Sequence, residues 1–256
     1  MSSLLFDTHS HYTDSKFDDP ATLLKQLFET DICGAMCCGW DVKSSGDCIE
    51  LASSFPDLYC SAGIHPENCV DIEDMNSALD EIKALCKKDK VKALGEIGLD
   101  YYWEIPKKKQ MEYFDAQLGL AEELDLPVII HDREAHGDVF DMIRSHKKVR
   151  GVMHGYSGSV ESARQYANMG FYISFPGTIT FKNAAKLPEV AMVVPADRIV
   201  VETDCPYLTP VPFRGQLNHS GYIKYTAAKV AELLNMDYND FCRIEVENSK
   251  KLFNID

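Results

Sequence analysis

The chain has 256 residues, 45% of them hydrophobic and 10% aromatic, with 15 Gly and 11 Pro, which excludes collagen, low complexity and extensive disorder and supplies a buried core. Its 26 Lys plus Arg stand against 40 Asp plus Glu, a net charge of −14. Such a surface repels a polyanion at long range and excludes a nonspecific DNA coat protein, although a metal site can reverse the potential locally.

Short apolar runs rich in Val, Ile, Ala and Cys recur along the chain and predict eight strands: Leu4 to Thr8, Gly34 to Cys38, Tyr59 to Ile64, Val91 to Ile97, Val128 to Ile130, Gly151 to Met153, Phe171 to Phe175 and Ile199 to Thr203. Runs without strict alternation suit strands buried on both faces, as in a parallel sheet whose crossovers are helices. Helices are predicted between them at Ala21 to Glu29, Lys43 to Ser53, Asn76 to Lys88, Lys107 to Glu123, Ala135 to Arg144, Val160 to Asn168 and Asn183 to Val193, with a closing pair at Tyr222 to Leu234 and Tyr238 to Phe253. The clearest, Lys107 to Glu123, puts Met111, Phe114, Leu118 and Ala121 on one face. Eight alternations in 256 residues match a closed (β/α)8 barrel, here a single domain over residues 1–256. The alternative is an open doubly wound sheet, but the place of its Gly-rich phosphate turn holds Asp7-Thr8-His9-Ser10-His11.

Nine cysteines, odd in number and often inside apolar runs, read as buried thiols of a reducing compartment, cytosolic or nuclear. No CxxC pair suggests a thiolate zinc site. No basic segment followed by a long apolar core opens the sequence, and no stretch approaches the ~18 apolar residues of a membrane span, so neither secretion nor membrane insertion is expected.

Five histidines fall just past predicted strands: His9 and His11 after the first, His65 after the third, His131 after the fifth and His154 after the sixth. Glu96, at the end of the fourth, and Asp204, beyond the eighth, hold the same place. In a barrel the C-terminal strand ends share one mouth, so these groups converge. Side chains two apart in a strand point the same way, so His9 and His11 can grip one ion. Four histidines and two carboxylates exceed the needs of one tetrahedral ion and point to a pair of divalent ions bridged by a carboxylate, with Glu96 as the bridge. Donors without thiolate suit Zn, Mn, Fe or Co, with Mg allowed if carboxylates and water dominate.

The blocks Phe6-Asp7-Thr8-His9-Ser10-His11, Gly63-Ile64-His65-Pro66, Gly95-Glu96-Ile97-Gly98-Leu99-Asp100-Tyr101-Tyr102, Pro127 to His131, His154-Gly155-Tyr156-Ser157-Gly158, Thr180-Phe181-Lys182-Asn183 and Glu202 to Leu208 resemble, in order, those of TatD-family metal-dependent hydrolases. The resemblance spans nearly the whole chain and implies a TIM barrel of the amidohydrolase type with deoxyribonuclease activity. It implies that His9, His11, Glu96 and Asp204 hold one ion and that Glu96, His131 and His154 hold the second. The sequence departs from the family after Arg214-Gly215, where Gln216 to Ser220 replaces a basic stretch, and at Gly155-Tyr156, beside the His154 ligand.

The expected catalyst is a metal-activated water attacking a phosphodiester, with Asp204 orienting or deprotonating it. His65 would bind the phosphate or protonate the leaving oxygen, and Arg133 and Arg214 would clamp phosphate. Asp7 and Glu202 share strand parity with His9 and Asp204 and either support the ligands or plug the barrel. Tyr101, Tyr102, Trp103, Tyr156 and Phe213 either stack bases or pack in the core, and Lys107-Lys108-Lys109 reads as a solvated helix start. DNA is the expected substrate, taken by an exonuclease at single strands or ends, with no obligate protein partner. Hydrolysis of an amide or ester, as in a D-aminoacyl-tRNA deacylase, and a noncatalytic metal-binding scaffold are the alternatives.

Overall fold

A computed structural model describes residues 3–256. The expected alternation is present: β1 (Leu5–Ser10), α1 (Pro20–Phe28), β2 (Ile32–Cys38), α2 (Val42–Ser53), β3 (Leu58–Ala62), α3 (Met75–Leu85), β4 (Val91–Asp100), α4 (Lys107–Leu124), β5 (Val128–Arg133), α5 (His136–Ser145), β6 (Gly151–Met153), α6 (Val160–Asn168), β7 (Tyr172–Phe175), α7 (Lys186–Val193), β8 (Ile199–Val201), α8 (Ile223–Leu233) and α9 (Tyr238–Phe253). The strands form one parallel sheet in sequence order, curled into a (β/α)8 TIM barrel of a single domain. Among the described residues, no helix is long and apolar enough to cross a membrane.

Local chemistry sets the helix starts. Asp19 accepts the Thr22 N–H ahead of α1, Asp41 and Ser44 form a reciprocal capping box on α2, and Asp74, Ser159 and Asp237 cap α3, α6 and α9. Two layers of apolar packing result. Phe6, Met36, Cys38, Ala93, Ile129, Val152 and Val200 fill the barrel, plugged from below by Leu252 and Phe253 of α9, while a larger cluster joins the sheet to the surrounding helices. All nine cysteines are free thiols, and eight of them are buried.

Two strands differ from expectation in ways that move the site. β4 continues to Asp100, so Glu96 lies within the strand rather than at its end, and β5 continues to Arg133, so His131 is a strand residue too. These extensions pair with each other, Gly98 opposite His131 and Asp100 opposite Arg133. Gly98 has φ +147°, and a Cβ there would collide with the His131 carbonyl, so glycine alone permits the approach.

The barrel closes through isolated backbone and side-chain bonds. No β8–β1 ladder exists among the described residues beyond a single bridge, Ser10 to Cys205. The seam is carried instead by the backbone bonds His11 N–H to Cys205 O (2.8 Å) and Asp204 N–H to His9 O (2.9 Å), and by Thr8 Oγ1 donating to Val201 O (2.9 Å). Asp7 accepts from Thr203 N (2.9 Å) and Thr203 Oγ1 (2.6 Å). At the lower end Glu245 of α9 accepts the Phe6 N–H at 3.1 Å and Ser249 Oγ at 2.8 Å.

Burial pushes the Glu245 carboxyl up to about 8, against 4.5 when exposed. A carboxyl whose folded value is raised stabilises the fold while protonated, and that contribution is lost as pH rises through the folded value. Stability should therefore fall by roughly 2–3 kcal/mol between pH 6 and 9 from this group. In Glu245→Gln that part of the decline should vanish in denaturant titrations across this range; an unchanged slope would show that Glu245 stays ionised.

Candidate metal centre

The mouth of the barrel holds a cavity of about 520 Å³ whose floor is Glu96, His11, His65, His131, His154 and Asp204. His9 lies fully buried beneath them. Five strand positions of the barrel thus bring the six expected donors together.

The two oxygens of Glu96 face different partners. Oε2 lies 3.3 Å from His9 Nε2 and 3.6 Å from His11 Nε2. Those two nitrogens are 3.0 Å apart, and Asp204 Oδ1 sits 3.7 Å from the first and 3.4 Å from the second. Oε1 lies 2.9 Å from His131 Nδ1, 3.1 Å from His154 Nε2 and 3.5 Å from His65 Nε2. His9, His11 and Glu96 form one group able to hold an ion, and His65, Glu96 and His131 another. A set of imidazoles and carboxylates without thiolate fits a divalent ion of intermediate hardness.

Supporting contacts aim the rings. His131 Nε2 donates to Asp100 Oδ2 at 3.0 Å, His11 Nδ1 to the Cys38 carbonyl at 3.1 Å and His154 Nδ1 to Glu202 Oε1 at 3.2 Å. Asp7 touches no ligand side chain; besides Thr203 it accepts Ser220 Oγ at 2.6 Å. Asp100 was not anticipated, although it lies four residues after Glu96 and so on the same strand face.

Burial alone would push Glu96 up. The imidazoles of His154, His9 and His65 and the hydrogen bond from His131 overcome it and hold the carboxyl well below the usual range. Asp204 is likewise held down against burial by His11, His154 and His9. His11 is opposed by burial but raised to about 9 by Asp204 and Glu96, and His131 reaches about 9 through Asp100 and Glu96. His9 and His65, where burial dominates, are lowered.

Around the rim, Trp40, Trp103, Arg133, Tyr207, Asp14, Glu67 and Asn68 complete the cavity. Arg133 rests on the Tyr102 ring, 3.7 Å from its centroid, with Tyr102 and Trp103 both half exposed. Arg214 lies over Phe181 at 4.1 Å and does not line the cavity. Tyr156 is buried with its hydroxyl on Ser159 O, Phe213 stacks on Tyr222, and Tyr101 donates to Asp138, so none of these three lines the mouth. Lys107 caps the Tyr101 ring, Lys108 pairs with Glu112, and Lys109 is tied to the Val70 and Ile72 carbonyls. In the stretch after Gly215, Asn218 is fully buried and donates to Thr203 O and Tyr207 O, fixing the loop that carries Asp204.

A (β/α)8 barrel with histidines and carboxylates gathered at its mouth defines the class of metal-dependent hydrolases. Comparison with known proteins places the chain within it: the family model TatD related DNase matches residues 6–254, and the protein belongs to that family. It is 40% identical to a metal-dependent hydrolase of Bacillus subtilis, YabD, over 98% of this chain and 100% of that one. The crystal structure of the TatD homolog YjjV from Escherichia coli superposes with a TM-score of 0.93 at 28% identity, covering 100% of both chains. A phosphotriesterase homology protein from Escherichia coli, solved with phosphate in its active site, shares the fold, with a TM-score of 0.66 at 10% identity over 99% of each chain.

A histidine ligates only when neutral at the ligating nitrogen, so His11 and His131, raised to about 9, would have to shed protons if they hold an ion. Metal affinity should fall by about tenfold per proton per pH unit below that value. Calorimetric titrations from pH 8 to 6, in buffers of different ionisation enthalpy, should show proton release and weakening toward pH 6. Binding independent of pH would contradict these protonation states.

Proposed function

We propose that this protein is a two-metal deoxyribonuclease that hydrolyses phosphodiester bonds at the ends of DNA strands. The observation that carries the reading is the division of Glu96: one oxygen faces His9, His11 and Asp204, the other His131 and His154. By this reading Glu96 would be shared between two ions of Zn, Mn or Mg type, one held with His9, His11 and Asp204 and the other with His131 and His154. Divalent ions so held supply Lewis acidity and lower the pKa of a coordinated water toward ~7.

The chain's own groups divide the remaining work. Asp204 reaches both His9 and His11 yet remains partly open to the cavity, in place to orient the attacking water and take its proton. His65 Nδ1 accepts the Glu67 N–H at 3.2 Å, which leaves the proton of the neutral ring on Nε2, facing the cavity. It is thereby a donor to the phosphate or the leaving oxygen rather than a metal ligand. Arg133 has no carboxylate within ion-pair distance among the described residues, so its guanidinium fork is free for a phosphate. Arg214, stacked on Phe181 and not lining the cavity, would reach only a phosphate lying outside it. Trp103 beside Arg133 offers a face for a terminal base. A reducing compartment suits the chain, since Cys37 and Cys48 lie with their sulfurs 3.4 Å apart as thiols.

A second reading, hydrolysis of an aminoacyl ester, draws on Asp14 and Glu67 at the rim, carboxylates that suit an ammonium group better than a second phosphate. One assay separates the two. End-labelled single- and double-stranded oligonucleotides, incubated with Mg²⁺, Mn²⁺ or Zn²⁺, should be shortened stepwise from one end, and chelator should abolish the ladder. Asp204→Asn should lower kcat at least about 100-fold, and Arg133→Ala should raise KM about 10- to 100-fold with kcat less affected. No cleavage with any ion, alongside release of amino acid from a charged RNA, would transfer the assignment to the ester.

A further inference from the structure

His9 and His154 lie ring on ring, centroids 3.8 Å apart and planes 16° from parallel. Each sends Nε2 toward Glu96, to Oε2 at 3.3 Å and to Oε1 at 3.1 Å. An imidazole that ligates through Nε2 keeps its proton on Nδ1 and needs an acceptor there. His154 has one in Glu202 Oε1 at 3.2 Å, an oxygen that also takes the Gly155 N–H at 2.8 Å. His11 has the Cys38 carbonyl. His9 Nδ1, in a fully buried side chain, finds no partner among the described residues.

Its counterpart is close by. Glu202 is also fully buried, and its second oxygen, Oε2, has no donor among the described residues. A ring nitrogen of His9, one of His154 and an oxygen of Glu202 lie within 4.8 Å of one another. A buried donor and a buried acceptor each left unpaired are costly, and one water accepting from the ring and donating to the carboxylate would satisfy both.

We propose that Glu202 is a positioning residue shared by both halves of the metal centre: Oε1 orients His154 directly, and Oε2 orients His9 through a single buried water. The proposal rests on the two-ion reading above. Glu202 then differs from Asp100, whose bond to His131 supports one half alone. It also explains the stacked pair: two ligands of different ions are held parallel because one carboxylate fixes the far edge of both rings.

The test is calorimetric titration of the metal-free protein with Mn²⁺, comparing wild type, Glu202→Ala, Glu202→Gln and Asp100→Ala. Glu202→Ala should weaken both binding events by about 10- to 100-fold, and Asp100→Ala only the second. Glu202→Gln should recover the His154 half more than the His9 half, because its amide oxygen still accepts from Gly155 and His154 while its NH₂ turns toward the His9 side. Loss of only one event in Glu202→Ala would overturn the proposal. A wild type that binds a single ion would instead overturn the two-ion reading. If Glu202→Ala fails to fold, judged by the melting of the metal-free protein, a high-resolution crystal structure of metal-loaded wild type decides. Water bridging His9 Nδ1 to Glu202 Oε2 supports the shared role, and a different acceptor on His9 Nδ1 refutes it.

Discussion

A carboxylate sealed near the barrel axis is the constraint on which the rest of this molecule turns. Glu96 is 4% exposed, and an isolated charge there would be neutralised by its desolvation cost. It stays ionised because imidazoles from the first, third, fifth and sixth strands or their loops ring it, each within 3.6 Å of one of its oxygens. The same field explains the histidines. Burial opposes the charge on all five; His11, His131 and His154, hydrogen-bonded to Asp204, Asp100 and Glu202, are raised in spite of it, whereas His9 and His65 have no such second bond and are lowered. The arrangement is a balanced cluster of acids and bases in which a divalent cation held by His11, His131 or His154 would have to displace protons, so metal chemistry and proton chemistry would be coupled at those three rings.

The barrel seam lies beside this cluster, and the two share hydrogen bonds. With no β8–β1 ladder among the described residues, the register between the strand carrying His9 and the segment carrying Asp204 is set by Asp7 holding Thr203 and by the exchange of backbone bonds at His9 and Cys205. Tyr12 and Ser220 extend the clasp into the long loop after β8: their hydroxyls are 2.6 Å apart, and Ser220 donates onward to Asp7. Burial lifts Asp7 to about 6, although Ser220, Thr203 and His9 all act to lower it. Closure of the fold and placement of Asp204 against His9 and His11 are therefore one set of interactions.

Much of this was legible in the chain because strands obey a simple parity. His9 and His11 two apart, and Glu96, His131, His154 and Asp204 near strand ends, could be sent to one mouth as soon as eight alternations were recognised. The same parity, carried two steps beyond Glu96, leads to Asp100, but only if β4 runs past Gly98, and a glycine reads equally well as a strand end. Loop residues obey no such rule. Arg133 and Arg214 looked equivalent in sequence, yet one extends a strand and lines the cavity while the other lies over Phe181 outside it. Tyr156 and Trp103 likewise parted, one turning inward to Ser159 and the other outward to the rim, because tertiary packing and not local pattern decides a loop side chain's direction.

How an acidic protein would accommodate the anionic substrate proposed for it is a question of range. At physiological salt, charges farther than about 8 Å through solvent are largely screened, so most of the surplus carboxylates on the outer helices contribute little at the mouth. What counts locally is Arg133, Asp14 and Glu67 around a floor that metal would make positive. Arg133 follows from the fifth strand, while Asp14 and Glu67 follow the first and third. By the proposed reading, a phosphate between Arg133 and a metal-bearing floor would be attracted from two directions, whereas Asp14 and Glu67 on the same rim would repel a second one. For the substrate proposed above, these rim charges would favour a chain end that enters and stops over a continuous strand that passes through.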